Sequence, residues 1–394
     1  MSKQKEKKNL TPPHLIKYMG AKTSIIEYII ENIDNKNFNG NVYDIFAGTT
    51  IVSAYLNRKY NVIVNDIQEY STVLAKSYLN KINVNEFDVK LFQKNTLEYV
   101  NYFKNKYNLF YSYTNTLDIE EFIEIENQEK ELLNINFNND DNHLFVKTYS
   151  GTYWSFEQCL WIDSIYRSSQ KYKNNNIYEL LIGSLMFAMS YSSQSTGHFA
   201  QYRTVKDEKN MRDILNYRLK DVYSLFLMKL NQLFEYDRNQ IYNFEVNNLS
   251  FEKILKDIKP NSLVYADPPY ANVHYSRFYH ALETIVKYDY PETKFKGRYR
   301  TDRHQSPFSK SSEAMDAFGK MFTLINKKQS HLVLSYSDGG VVTIEELLKL
   351  ARSKFSKDYT VELKEKDYLH SRMGRKGEKS IPVKEILIIA TFND

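Results

Sequence analysis

Two consecutive prolines, Pro268 and Pro269, follow directly on the mostly apolar run Asn261-Ser-Leu-Val-Tyr-Ala266 and constrain this chain more than any other feature. Proline can neither donate to a sheet ladder nor sit in a helix interior, so the run reads as a short buried strand that stops abruptly. The turn Asp267-Pro-Pro-Tyr270 then offers a carboxylate, fixed carbonyls and an aromatic ring. In an open α/β sheet such a turn lies at the carboxyl edge, where ligands bind. The carboxylate and prolyl carbonyls accept hydrogen bonds, and tyrosine gives a flat stacking surface. The combination suits a planar amine such as the exocyclic N6 of adenine. For so short a string the competing reading is a plain structural turn.

A second block lies far upstream. Val42-Tyr-Asp44-Ile-Phe46-Ala-Gly48-Thr-Thr-Ile51 reads as strand, glycine turn and helix start, and Val62-Ile-Val-Asn-Asp66 as a second strand ending in an acid. This is half of a mononucleotide-binding βαβ unit, in which Gly48 allows close backbone approach and Asp66 accepts from ribose hydroxyls. One glycine is too few for a dinucleotide fingerprint, and the Gly-Lys-Ser/Thr ending of a phosphate loop is missing. A carboxylate at Asp44 would repel phosphate. It could face the ammonium of an amino-acid-bearing nucleoside, and S-adenosylmethionine (SAM) is such a ligand. An ordinary βαβ turn is the alternative.

With these blocks the chain resembles the D12 class, Dam-like DNA adenine-N6 methyltransferases. Three motifs carry the likeness, in the family's order: Lys17-Tyr-Met-Gly20-Ala-Lys22, Asp44-Ile-Phe46-Ala-Gly48 with Asp66, and Asp267-Pro-Pro-Tyr270. The resemblance implies an α/β, Rossmann-like SAM-dependent methyltransferase sheet with a reversed terminal hairpin and a largely helical inserted target-recognition region. It implies a catalytic turn of Asp267, Pro268, Pro269 and Tyr270. Around SAM it implies Tyr18, Gly20, Lys22, Asp44, Phe46, Gly48, Asp66, Ile67 and Asn248. Tyr18 replaces the family's Trp, Ala21 its second Gly, and Thr50 the last Gly of its Gly-x-Gly. Asn248 stands where relatives often carry an acid. The substrate implied is double-stranded DNA with a flipped-out adenine, and a cognate restriction endonuclease is a possible partner. N4-cytosine or RNA adenine methylation, or a non-catalytic SAM- or DNA-binding subunit, are the alternatives.

By this reading residues 14–80 and 241–394 form the catalytic domain, 81–240 a mainly helical DNA target-recognition insertion, and 1–13 a flexible basic tail. Helices are expected over Ser24–Ile33, Ile51–Arg58, Ser71–Leu79, Asp118–Glu131, Ile177–Met189 and Leu215–Phe234 from their apolar spacing. The charges of Asp118–Glu131 read as a solvated face. Leu332–Ser335 reads as a strand, and Val361–Lys364 with Glu385–Thr391 as an alternating pair joined by the basic loop Arg372–Lys379. The aromatic content, 33 Tyr and 23 Phe among 394 residues, argues against extensive disorder. A net charge of +5 permits a basic face without requiring one. The single cysteine, Cys159, excludes an intrachain disulfide and fits a reducing cytosol. No apolar stretch reaches membrane-spanning length, no metal-ligand spacing is present, and a cytoplasmic, DNA-associated protein is expected.

Two segments mix cations, aromatics and turn residues. One contains His198, Gln201 and Arg203. The other contains Arg298, Arg300, Arg303 and Gln305. Arginine binds phosphate or reads guanine, and glutamine pairs with adenine, so both segments are candidates to face DNA. Solvated loops are the alternative for each.

Overall fold

The uninterrupted apolar runs become parallel strands covered on both faces, which is why they lack polar alternation. The computed structural model describes residues 10–18, 20, 22–195, 198–239, 242–370 and 381–393. The Lys-rich start and the basic loop Arg372–Lys379 lie outside them, as does Ala21. The described chain divides into two compact units.

The first unit comprises residues 19–79, 238–276 and 304–394. Its sheet has seven strands: β1 (Val42–Asp44), β2 (Val62–Asn65), β3 (Phe244–Asn247), β4 (Leu263–Ala266), β5 (His331–Ser337), β6 (Tyr359–His370) and β7 (Ile381–Phe392). They lie in the order β3-β2-β1-β4-β5-β7-β6. β3 to β5 pair in parallel, and β7 runs antiparallel between β5 and β6. This is the expected Rossmann-like sheet with its reversed hairpin. β1 and β4 are neighbours with Asp44 opposite Tyr265, and the order reverses there. Such a switch point opens a crevice at the carboxyl edge. Beneath it, Val264, Leu332, Leu334, Ile386 and Ile388 pack against Phe318, Met321 and Phe322 of the helix Ala314–Lys327.

The second unit comprises residues 1–18, 80–237 and 277–303. At its centre the helix Ile177–Ser192 is buried nearly all round, as its uniformly apolar sequence requires. The expected helix Leu215–Phe234 is instead two, Glu208–Arg218 and Val222–Glu235. Asp221 breaks it by taking the N–H groups of Tyr223 and Ser224, a cap that competes with continued helix. The helix Ile119–Glu131 is not charged on a solvated face alone. Its Glu126 and Glu129 are buried, and Glu126 accepts from Arg218 at 2.5 Å. Glu129 accepts from Phe156 N and the Tyr113 hydroxyl, while burial pushes its carboxyl up to about 7.

Residues 277–303, assigned from sequence to the sheet domain, join this helical unit. Tyr288 stacks on Tyr166 with centroids 3.8 Å apart and donates its hydroxyl to Asp163 at 2.5 Å. Phe199 N donates to Phe278 O at 2.8 Å, and Tyr149 contacts the buried His280. None of these long-range partners is visible in local periodicity. Among the described residues no helix is long and apolar enough to cross a membrane, and Cys159 is buried.

Removing the Arg218 charge leaves buried Glu126 with the more distant Lys130, 3.5 Å from its Oε2, in place of the guanidinium at 2.5 Å. Arg218→Met is expected to cost about 3–5 kcal/mol in urea unfolding of the whole chain. A decrease below about 1 kcal/mol would mean the pair contributes no more than a surface ion pair.

Candidate active site

The site is built at the carboxyl ends of β1 and β4, within the sheet unit. Asp44 ends β1 and is 1% exposed. Ser53, on the helix Ile51–Leu56, donates to its Oδ2 at 2.5 Å, whereas its Oδ1 has no hydrogen-bond partner. Burial, then repulsion by Asp267 and Asp66, pushes Asp44 up to about 7 against the Ser53 bond. Among the described residues no cation compensates it. An isolated buried carboxylate of this kind is costly unless a ligand supplies a donor.

The glycine turn after β1 is tied to the end of β2. Gly48 N donates to Asp66 Oδ2, and Gln68 N to Asp66 Oδ1, each at 2.8 Å. Thr50 stands at φ 61°, the left-handed conformation glycine would take freely, and its hydroxyl donates to Thr49 O at 2.7 Å. Ile67, beside Asp66, is an exposed apolar side chain, and Asn248 donates to Asp66 O at 2.8 Å. Phe46 is half-buried against Phe308 and Phe251.

On the other side of the crevice the Asp-Pro-Pro-Tyr turn leaves β4. Pro268 is buried, while Asp267, Pro269 and Tyr270 are half-buried. Tyr270 O accepts from Val341 N at 2.8 Å, and its ring lies edge-on to Tyr336. Gly20, at φ +79°, turns the chain beside the Tyr270 hydroxyl. Two residues later Lys22 is 4% exposed, with Nζ 2.9 Å from Glu385 Oε1 and 3.3 Å from Asp267 Oδ1. Burial opposes the Lys22 charge, but Asp267 and Glu385 outweigh it and hold the ammonium well above the ordinary lysine range. For Asp267, burial is the largest influence; with repulsion by Glu385 it outweighs Lys22 and leaves the carboxyl at about 6.

Glu385, Ser335 and Ser53 were missed from the sequence. Glu385 is fully buried on β7, and Ser335 of β5 donates to its Oε1. The available signal was an acid opening the apolar run Ile386-Leu-Ile-Ile-Ala390.

The structure thus gathers Gly20, Lys22, Asp44, Phe46, Gly48, Asp66, Ile67, Asn248 and the turn 267–270 into one unit. Tyr18 falls in the helical unit, stacked on Tyr279 at 4.5 Å. So do His198, Gln201, Arg203, Arg298, Arg300 and Arg303, while Gln305 is exposed in the sheet unit. His198 packs on Phe278 and its Nδ1 accepts from Ala200 N, and Arg203 pairs with Asp213. Gln201 is exposed, Arg298 half-buried, and Arg303 lies over the Tyr299 ring. Arg300 is 1% exposed and gripped by both oxygens of Asp289 and both of Asp302, so its donors are spent inside the fold.

The residues fit SAM where the structure can test it. The unpartnered Asp44 oxygen lacks a donor that an amino-acid ammonium has.

Comparison with known proteins agrees with this geometry. Modification methylase LlaI of Lactococcus lactis subsp. lactis is 26% identical over 367 residues, covering 90% of this chain and 51% of its own length. Modification methylase StsI of Streptococcus sanguinis is 25% identical, covering 90% and 48%. The type II methyltransferase M.FokI of Planomicrobium okeanokoites is 26% identical, covering 86% and 47%. The chain therefore spans about half the length of the curated relatives it matches. The family pattern described as D12 class N6 adenine-specific DNA methyltransferase matches residues 18–335, and the chain belongs to that family.

Proposed function

We propose that this chain transfers a methyl group from SAM to N6 of an adenine flipped out of double-stranded DNA. One observation carries the reading. Adjacent parallel strands lead into two carboxylates: buried Asp44, with one oxygen lacking a hydrogen-bond partner, and half-buried Asp267, with Oδ1 3.3 Å from Lys22 Nζ. Asp44 suits the donor's ammonium and Asp267 the acceptor's amine. The relatives' names support the wider setting of a modification methylase acting beside a cognate restriction endonuclease.

SAM supplies a methyl group already activated on a sulfonium. The chain's own residues do the rest. Asp44 and Asp66 fix the ligand's amino-acid and ribose ends, and Ile67 covers its base. Asp267 and the Pro268 carbonyl accept the two N6–H bonds, which favours a tetrahedral nitrogen with its lone pair aimed at the methyl. Tyr270 stacks on the base. Alignment of this kind is worth up to ~7–11 kcal/mol in favourable cases, against a few kcal/mol for extruding the adenine. Asp267 serves as an acceptor rather than a strong base, because the nitrogen becomes acidic only after it is methylated.

The helical unit suits the DNA backbone. Lys17 lies over the Tyr191 ring at 4.4 Å, Lys220 over Tyr217 at 4.1 Å and Lys229 over Phe187 at 4.1 Å. Tyr191 and Phe187 stack on each other, and Lys220 donates to Tyr191 O. Burial, and for Lys17 also the neighbouring Lys220, pulls Lys17 and Lys229 down to about 8. Among the described residues none of the three ammonium groups pairs with a carboxylate. Phosphate would supply the missing counter-charge for half-buried Lys17 and Lys220, whereas Lys229 is 5% exposed and donates to Gln232 Oε1 inside the fold.

Incubation with tritiated SAM and mixed-sequence duplex DNA, then digestion to nucleosides, should place label in N6-methyladenosine. Label confined to N4-methylcytosine, or to RNA supplied in its place, would sink the adenine-DNA reading. Asp267→Ala should abolish transfer while SAM still binds, and retained turnover would reject that residue's role. In the wild type, kcat should fall as pH drops through about 6, because a protonated Asp267 loses acceptor capacity.

SAM binding near pH 7 should release a proton from Asp44, since an ammonium favours its carboxylate. Calorimetry in buffers of different ionisation enthalpy reads this directly. Asp44→Asn should abolish the release and most of the affinity, whereas unchanged binding would remove Asp44 from the cofactor site. Lys17→Gln with Lys220→Gln should weaken duplex binding and flatten its dependence on log salt by about 0.9 for each phosphate that is no longer neutralised. An unchanged slope would place the backbone-binding cations elsewhere.

A further inference from the structure

Glu385 lies beyond residues 18–335, so the family pattern does not account for it. It is nonetheless fully buried, with Oε1 engaged by Lys22 and Ser335 and Oε2 bonded to nothing. A buried carboxylate with an uncompensated oxygen destabilises a fold, and such groups concentrate at functional sites. The register of β5 and β7 aims it. Ser335 pairs with Leu387, and Glu385 lies two residues before Leu387, on the same face as Ser335. A slip of one residue would turn it to the opposite face.

We infer that Glu385 is a positioning residue: it draws the Lys22 ammonium to itself and so leaves the Asp267 carboxylate free to accept from the substrate amine. The inference rests on the reading of Asp267 given above. The distances carry it, since Lys22 is nearer Glu385 (2.9 Å) than Asp267 (3.3 Å), although Asp267 opens the turn that would meet the substrate. Were Glu385 neutral, Lys22 would close on Asp267, occupy its lone pair and stabilise its charge. The acceptor would then be blocked and weaker. The other groups facing Asp267 are Ser335, which bonds it, and Asp44, Tyr265, Tyr270 and Tyr275, none of them a cation. Burial first, then repulsion by Glu385 against the attraction of Lys22, keeps Asp267 in the range of a useful acceptor.

The test compares pH–rate profiles of the purified full chain on duplex DNA. Glu385→Gln preserves shape and removes the charge. Its acidic limb should move down by ~1 pH unit, a tenfold change at fixed pH on the limb, with a lower plateau kcat and an unchanged KM for SAM. Ser335→Ala should move the limb up, because Ser335 bonds Asp267 as well as Glu385, so this variant serves as a control for direct loss of a donor to Asp267. Glu385→Asp keeps the charge and should hold the wild-type limb. A Glu385→Gln enzyme impaired only in rate or thermal stability, with its limb in place, overturns the inference. If Glu385→Gln does not fold, a Glu385→Asp limb that moves down by ~1 pH unit although the charge is kept overturns it equally. Failure of the wild type to methylate DNA would instead strike the proposed function itself.

Discussion

The parallel pairing of β1 with β4 is the constraint on which the site depends. Asp44 stands opposite Tyr265, so each strand delivers a carboxylate to the same edge within two residues of the other in register. Neither local sequence could do this alone, because the two strands are separated by β2, β3 and the whole helical segment. Burial of Val42, Val264 and their neighbours in one core fixes the register, and a one-residue slip would turn both acids away from the crevice.

That edge holds more negative than positive charge. Asp267 and Glu385 share one buried lysine, at 3.3 and 2.9 Å, and Asp44 has no cation partner among the described residues. Ion pairs in such surroundings contribute little net stability, because desolvation offsets attraction. Their worth lies in what they leave unsatisfied. Here that is one carboxylate, Asp44, without a cation among the described residues, and a second, Asp267, that shares its lysine with Glu385.

Much of this was legible in the sequence, and the reasons are physical. Parallel strands buried on both faces must be apolar runs, and prolines must end them, so β1, β2, β4 and the turn 267–270 could be read directly. The two-strand pattern near the end marked β6 and β7, though each is a 12-residue strand, longer than the alternation suggested. What stayed hidden depended on partners far along the chain. Glu385 becomes intelligible only when β7 lies beside β5. Residues 277–303 look like an appendage of the sheet until Tyr288, Phe278 and His280 are seen packed in the helical unit. Asp221 did carry a cap signal, which the long apolar spacing outweighed.

Residue identity and residue environment diverge most at the cations and at Thr50. Arg300 has the composition of a DNA-reading residue, yet four carboxylate oxygens hold its guanidinium. Lys17 and Lys220 each rest on an aromatic face, and among the described residues neither pairs with a carboxylate. Charge available to a partner is therefore set by the fold's internal neutralisation, not by the number of basic residues in a loop. Thr50 makes the same point for backbone. It adopts the left-handed conformation that glycine would adopt, at a cost of roughly 1–2 kcal/mol, and its hydroxyl bonds the preceding carbonyl. The turn keeps its shape although the residue differs, because the buried helix start behind it over-determines the conformation.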